Sequence, residues 1–252
     1  KILFQGKKIH QSCVVIPVIN EGNRINNLLQ RMLDYKINAL ADIIIVDGGS
    51  VDNSINQKFF KNMKVNTLLL KKGFGKLSSQ LRCAYAYALM SGYNSVITID
   101  GNNKDDPKTI PAIIQKLNEG NDFVQVSRFI KNGKGVNTPL KRMLAIRLIH
   151  APLISLSSGF HWTDTTQGFR GYSARLLYSA ELKIFRSIFT SYELLYYLSV
   201  EAPRLGFKCI EVPSKRVYPQ GKVPTKISAL KGNFEMLLTL TLCCLRFYKP
   251  KA

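Results

Sequence analysis

Apolar residues in the first half of the chain come in short β-branched runs separated by stretches with a different rhythm. The runs at 13–18, 43–46, 65–70, 96–99 and 123–126 are almost continuously apolar, as in "CVVIPV" and "IIIV". Strands buried on both faces have this appearance, whereas half-exposed strands alternate. Between the runs, 25–33, 54–63, 77–90 and 110–117 repeat apolar positions at the helical period of about 3.6 residues. Strand and helix in alternation predict an α/β fold, a mostly parallel sheet with helices on both faces.

The second half reads differently. Residues 140–156 predict one long helix kinked at Pro152, and 163–171 a polar loop. Helices are predicted over 174–182 and 193–205, a strand over 207–212, and a closing helix over 227–247. No Gly/Ser linker, low-complexity tract or internal repeat interrupts the chain. The expected organisation is one catalytic-type domain over 1–225, with a basic and apolar helical extension over 226–252 that either lies on an anionic membrane or packs on its own sheet.

Composition narrows the class. With 252 residues, 46% of them hydrophobic and 21% charged, the chain can bury a sizeable core and is not of disordered type. It carries 36 Lys and Arg against 16 Asp and Glu, a formal net charge of +20. Such a field draws polyanions: nucleic acid, anionic membrane or phosphorylated substrates. The five cysteines (13, 83, 209, 243, 244) are scattered without a CxxC pair and read as reduced core thiols of a cytosolic protein. With three histidines, none at ligand spacing from a cysteine pair, a zinc site is disfavoured. No apolar run reaches the roughly 20 residues that span a bilayer.

Ligands of open parallel sheets bind beyond the carboxyl ends of the strands. Here those ends are followed by Asn20-Glu21, Asp47-Gly48-Gly49-Ser50-Val51-Asp52, Gly73-Phe74-Gly75-Lys76, Asp100-Gly101-Asn102 and Ser127-Arg128. Asp47 is a candidate to accept hydrogen bonds from a base or ribose, against a plain turn with Asp52 as helix cap. The Gly73–Lys76 loop lacks both the Gly-Lys-Ser/Thr ending of a P-loop and a GxGxxG, so dinucleotide binding is disfavoured. Asp100-Gly101 could be a hairpin turn, but a helical pattern rather than a returning strand follows it. A carboxylate and an amide carbonyl two residues apart, Asp100 and Asn102, offer hard oxygens suited to Mg²⁺ or Mn²⁺.

The segments "VVIPVINEGNRI", "IIIVDGGSVDNS", "VITIDGNNKDDPKTIP", "SRF", "TDTTQGFRGYSARLL" and "EVPSKRVYPQGKVPTK" resemble glycosyltransferase family 2 from about residue 12 to 228. They are most similar to its dolichyl-phosphate mannose synthase and polyprenyl-phosphate glycosyltransferase branch. The resemblance implies a GT-A fold, a nucleotide-sugar donor (UDP or GDP), a divalent metal and inversion at the anomeric carbon. It implies that Pro17, Asn20, Glu21, Asp47 and Asp52 hold the nucleotide and that Asp100 and Asn102 form the metal motif. It places Ser127 and Arg128 near the sugar and acceptor phosphate, and Asp164, Gly168, Phe169 and Arg170 in the family's Asp…Gly-Phe-Arg segment. The pattern departs at Asn102, where the second carboxylate of DxD is an amide, and at Lys104. Asp105 or Asp106 would then compensate, or Lys104 would replace part of the metal's charge.

Two acceptors remain open. A polyprenyl phosphate or lipid-linked glycan presents an anionic oxygen that needs positive charge rather than a base, with Arg128, Arg170, Arg216 and Lys222 as candidates. A sugar hydroxyl needs a carboxylate base, and Asp164 is the first candidate, ahead of His161 and the helix-face His150. The expected setting is the cytoplasmic face of an anionic membrane. A nucleic-acid-binding protein is the competing class; the basic residues are spread along the chain, without a zinc-finger or RNA-sheet motif. A nucleotidyltransferase ranks lower, for want of its Gly-rich signature.

Overall fold

In the computed structural model, which describes residues 1–220 and 231–250, an eight-stranded sheet forms the centre. The elements in chain order are β1 (Ile2–Gln5), β2 (Ser12–Val18), α1 (Asn23–Asp34), β3 (Asp42–Asp47), α2 (Gln57–Asn62), β4 (Val65–Leu70), α3 (Leu77–Met90), β5 (Ser95–Thr98), α4 (Ile110–Asn118) and β6 (Phe123–Ser127). There follow β7 (Lys134–Val136), α5 (Leu140–Ala145), a π-helical turn (Ile146–His150), α6 (Ala151–Ser158), β8 (Arg170–Ser173), α7 (Ala174–Leu177), α8 (Glu193–Arg204), β9 (Cys209–Pro213), β10 (Lys215–Val217) and α9 (Lys231–Cys244). The sheet order is β1-β4-β3-β2-β5-β8-β6-β9, and β10 pairs with β7 in a separate ribbon. Within the main sheet only β1 and β8 run against the rest.

The continuous apolar strands are explained by two cores. Successive residues of a strand point to opposite faces. Cys13 and Val15 pack on one side, with α3, α6, α8 and α9, and Val14, Ile16 and Val18 pack on the other, with α1, α2 and α4. Every residue of β2 and β3 is buried.

Three elements differ from the sequence-based expectation. The helix over 140–158 is interrupted by the π turn just before Pro152, which lacks the N–H and crowds the carbonyl four residues back. The helix expected over 174–182 stops at Leu177, and Lys183 takes a positive φ of 45°. The helix expected over 54–63 starts only at Gln57, because Asn56 caps it by accepting from Phe59 N and Ser54 is engaged elsewhere.

The part of the closing helix over 227–230 lies outside the described residues. Its described part, α9, packs on the domain: Leu240 and Cys243 are buried in the larger core, and Arg246 donates twice to Glu201 at 2.7 Å. Its other face leaves Phe234 and Leu238 exposed, as is Leu245 just beyond its end; Leu153 and Leu156 on α6 are exposed as well. No helix among the described residues is long and apolar enough to cross a membrane.

Candidate active site

β2 has β3 on one side and β5 on the other, so the chain's direction of progress reverses there and the strand ends open into a crevice. The loops after β2 and β3 are laced together across it. Asn20 N donates to Ser50 Oγ at 3.0 Å, and Val51 N to Asn20 Oδ1 at 2.9 Å. Gly22 N donates to Asp52 Oδ2 at 3.1 Å, and Glu21 N to Ser54 Oγ at 2.7 Å. Asp47 is buried and accepts from Ser50 N at 2.9 Å and Ser50 Oγ at 2.7 Å. Ser54's hydroxyl bond to Asp52 leads the causes that hold this carboxyl below the usual range. Asn20 adopts a left-handed φ of 49°, which Asn tolerates at such turns.

The Asp100 loop closes against the same place. A Cβ at Gly101 would stand 3.1 Å from Pro17 O and 3.6 Å from Glu21 Cγ. A Cβ at Gly168 would stand 2.5 Å from Asp100 Oδ1. Pro17, Asn20, Glu21, Asp47, Asp52 and Asp100 therefore share one crevice, with the Gly168 segment on its wall. Gln80, which the sequence did not single out, braces the rim by donating to Val18 O at 2.9 Å and Val46 O at 3.1 Å.

The carboxylates after Asp100 are committed to arginines. Arg216 Nη1 donates to both oxygens of Asp105, at 2.7 and 2.6 Å, and Arg216 Nη2 lies 3.5 Å from Asp100 Oδ2. Arg31 donates to Asp106 at 3.0 Å and to Asn103 Oδ1 at 2.9 Å. The Lys104 ammonium stands over the Tyr218 ring, 5.2 Å from its centre. Burial first, and then Arg216, lowers its pKa.

On the β6 side, Arg128 and Asp164 form a buried pair: Nε to Oδ2 at 2.7 Å and Nη2 to Oδ1 at 3.2 Å. Asp164 also accepts from Gln167 Nε2 at 2.6 Å. Burial disfavours the Arg128 guanidinium, but Asp164 outweighs it and raises its pKa. Arg128 Nη1 donates to Tyr218 Oη at 3.0 Å, and the Arg142 guanidinium lies 5.7 Å from the Tyr218 ring centre. Burial would raise this phenol's pKa, yet Arg216, Arg128 and Arg142 bring it down to about 8.

Three expected residues are placed otherwise. Arg170 is fully buried, and its guanidinium donates to Gln167 O, Leu195 O, Thr165 O and Ser199 Oγ. It ties the Asp164 loop to α8 and has no face toward an acceptor phosphate. Ser127 is equally buried, its hydroxyl shared with Thr163 and Phe129 N. Asp164 is buried, and both of its oxygens are taken by donors from Arg128 and Gln167. His161 is exposed, and His150, its pKa lowered by burial, packs near Tyr196. Lys222 lies outside the described residues.

The metal motif also departs from expectation. Asn102 Oδ1 accepts from Lys104 N at 3.1 Å, and its Nδ2 donates to Asp100 at 3.3 Å. The amide thus turns a donor, not an acceptor, toward Asp100 Oδ2, and the Arg216 guanidinium lies 3.5 Å from the same oxygen. Among the described residues no group of three or more His, Cys, Asp or Glu is placed to hold a metal ion. In this geometry Asn102 adds no oxygen to that of Asp100 toward a divalent cation.

This strand order and crevice are those of the GT-A fold, the α/β class of nucleotide-sugar-dependent transferases. A solved glucosyl-3-phosphoglycerate synthase from Mycobacterium tuberculosis, in complex with Mn²⁺, UDP-glucose and phosphoglyceric acid, superimposes with a TM-score of 0.68 at 17% identity, over 96% of this chain and 81% of that one. The sequence pattern of the family described as glycosyl transferase family 2 matches residues 13–179, and the chain belongs to that family. An undecaprenyl-phosphate mannosyltransferase from Micrococcus luteus is 27% identical over 205 residues, 79% of this chain and 80% of that protein. An undecaprenyl-phosphate 4-deoxy-4-formamido-L-arabinose transferase from Proteus mirabilis is 30% identical over 133 residues, 48% of this chain and 38% of that protein.

Proposed function

We propose that this glycosyltransferase moves a sugar, with inversion, from a nucleotide-sugar donor to a polyprenyl phosphate. The nucleoside occupies the crevice between the loops at 19–22 and 47–54, with Asp47 and Glu21 as hydrogen-bond acceptors and the diphosphate toward Asp100. The acceptor phosphate faces Arg142, Lys104 and the Tyr218 hydroxyl, backed by Arg128. Arg142 and Tyr218 were not among the sequence's candidates.

One observation carries the choice of acceptor: Asp164, the carboxylate first in line as a base, is fully buried and bonded to Arg128 and Gln167. A phosphate oxygen is already a nucleophile and needs orientation and charge rather than deprotonation. A sugar hydroxyl would need the base that Asp164 does not supply. The family match and the undecaprenyl-phosphate relatives support the same acceptor class.

The exposed Leu140, Leu144 and Leu148 on α5 and the π turn, beside Lys141 and Arg147, suit contact with an anionic bilayer that delivers the acceptor. The test is a panel of UDP- and GDP-sugars incubated with a short polyprenyl phosphate, products read by mass spectrometry. A glycosylated polyprenyl phosphate is expected. Transfer only to glycan hydroxyls would overturn the acceptor assignment.

A further inference from the structure

We propose that Arg216 is a tethered counter-cation for the donor's diphosphate, and that this chain binds its nucleotide donor without a divalent metal. The inference rests on the donor site proposed above and concerns what neutralises the charge there.

The position of Arg216 is built in. Its strand, β10, is zipped to the loop that follows Asp100: Asp105 and Arg216 form an antiparallel bridge, and Val217 N donates to Lys104 O at 2.8 Å. The side chain, 6% exposed, is then clamped by both oxygens of Asp105, at 2.7 and 2.6 Å. This holds Nη2 at 3.5 Å from Asp100, and Asp105 and Asp100 together raise the guanidinium's pKa. A divalent ion ligated by Asp100, at roughly 2.0–2.6 Å from its oxygen, would have the guanidinium as a close, like-charged neighbour.

The local balance of charge points the same way. Around Tyr218 stand Lys104, Arg128, Arg142 and Arg216, against Asp100, Asp105 and Asp164. Cations are already in excess before any metal is added. Arg216 Nη2, whose contact with Asp100 Oδ2 is long at 3.5 Å, retains donor capacity. A planar guanidinium is well suited to phosphate oxygens. The departures of the metal motif fit this arrangement: with a fixed cation beside Asp100, a second carboxylate at position 102 is not required.

The experiment is calorimetric titration with UDP and with GDP, each in EDTA and in Mn²⁺. One of the two is expected to bind wild-type protein with a Kd that changes less than about threefold between the conditions. A charge-assisted contact is worth roughly a tenfold or greater change in affinity. The double variant Arg216→Gln/Asp105→Asn, which removes both buried charges together and so leaves neither unpaired, should lose about tenfold or more in EDTA. Circular dichroism and melting of the variant check that it is folded. Binding by wild type only in Mn²⁺, or wild-type affinity of the folded double variant in EDTA, would overturn the proposal while the donor site stands. Failure of both nucleotides to bind in either condition would overturn it together with the proposed function.

Discussion

Arg128 and Asp164 face each other as a two-pronged ion pair, 2.7 and 3.2 Å, with side chains 1% and 0% exposed. The pair joins the end of β6 to the loop before β8, and Arg128 passes the constraint on to Tyr218 through a 3.0 Å bond. Its work is to fix the loop and aim a cation. Removing one charge strands the other in the interior, at a cost of about 3–5 kcal/mol. Asp164→Asn should lower stability by that order in urea unfolding. It should also reduce turnover while preserving the shape of the pH–rate profile. Loss of an acidic limb in that variant would instead mark Asp164 as a base.

Tyr218 gives the site a pH response. Its phenol titrates at about 8, against an ordinary 10.0, because Arg216, Arg128 and Arg142 outweigh burial; Lys104 also faces the ring. Between these values the folded chain has lost a proton that the unfolded chain keeps. The stabilisation is therefore complete above the unfolded value and is lost as pH falls through about 8. Function runs the other way: a phenolate cancels part of the cationic field. The KM for the acceptor phosphate should rise above pH about 8 in wild type and stay flatter in Tyr218→Phe. Identical profiles for the two would contradict this.

Gly168 is required by its neighbour. A Cβ there would stand 2.5 Å from Asp100 Oδ1, so the alanine variant must displace that carboxylate. Gly168→Ala should weaken nucleotide binding about tenfold or more in calorimetry, with a smaller effect on acceptor KM. Unchanged nucleotide affinity would remove Asp100 from the donor site.

Arg170 should behave as a structural residue. Four of its N–H groups are spent on Gln167 O, Leu195 O, Thr165 O and Ser199 Oγ. Arg170→Met removes the side-chain donor from Gln167 O and Thr165 O, at about 1–3 kcal/mol for each buried acceptor left unpaired, while Ser199 Oγ and Leu195 O keep their bond to each other. The melting temperature should fall, while acceptor KM of the remaining folded fraction stays near wild type. A selective rise in acceptor KM at unchanged stability would restore the phosphate contact.

What the sequence made legible follows from what is local. The five apolar runs in the first half announce strands because both sheet faces are covered, and strand ends carry their polar residues in the very next positions. That is why the residues from Pro17 to Asp100 that lie around the crevice read as one group in the sequence. β8 escaped notice because "RGYS" is four residues, polar in composition, and held in place by neighbours on both sides. The place of Arg216 was equally hidden: its partner Asp105 is 111 residues away, and the two are brought together by a backbone bridge that no local pattern announces. Arg170 shows the opposite failure. A motif match carries residue type, but whether a guanidinium faces ligand or carbonyls is decided by the packing of α8.

The most direct test of the shared crevice is hydrogen exchange with and without a saturating nucleotide from the UDP and GDP pair. Amides in 19–22, 47–54 and 100–105 should gain protection together, since the first two loops bond to one another and the third packs on Pro17 and Glu21. Protection confined to one of these segments, or gained instead at the opposite strand ends near His10 and Asn94, would contradict a single donor site at the carboxyl edge of the sheet.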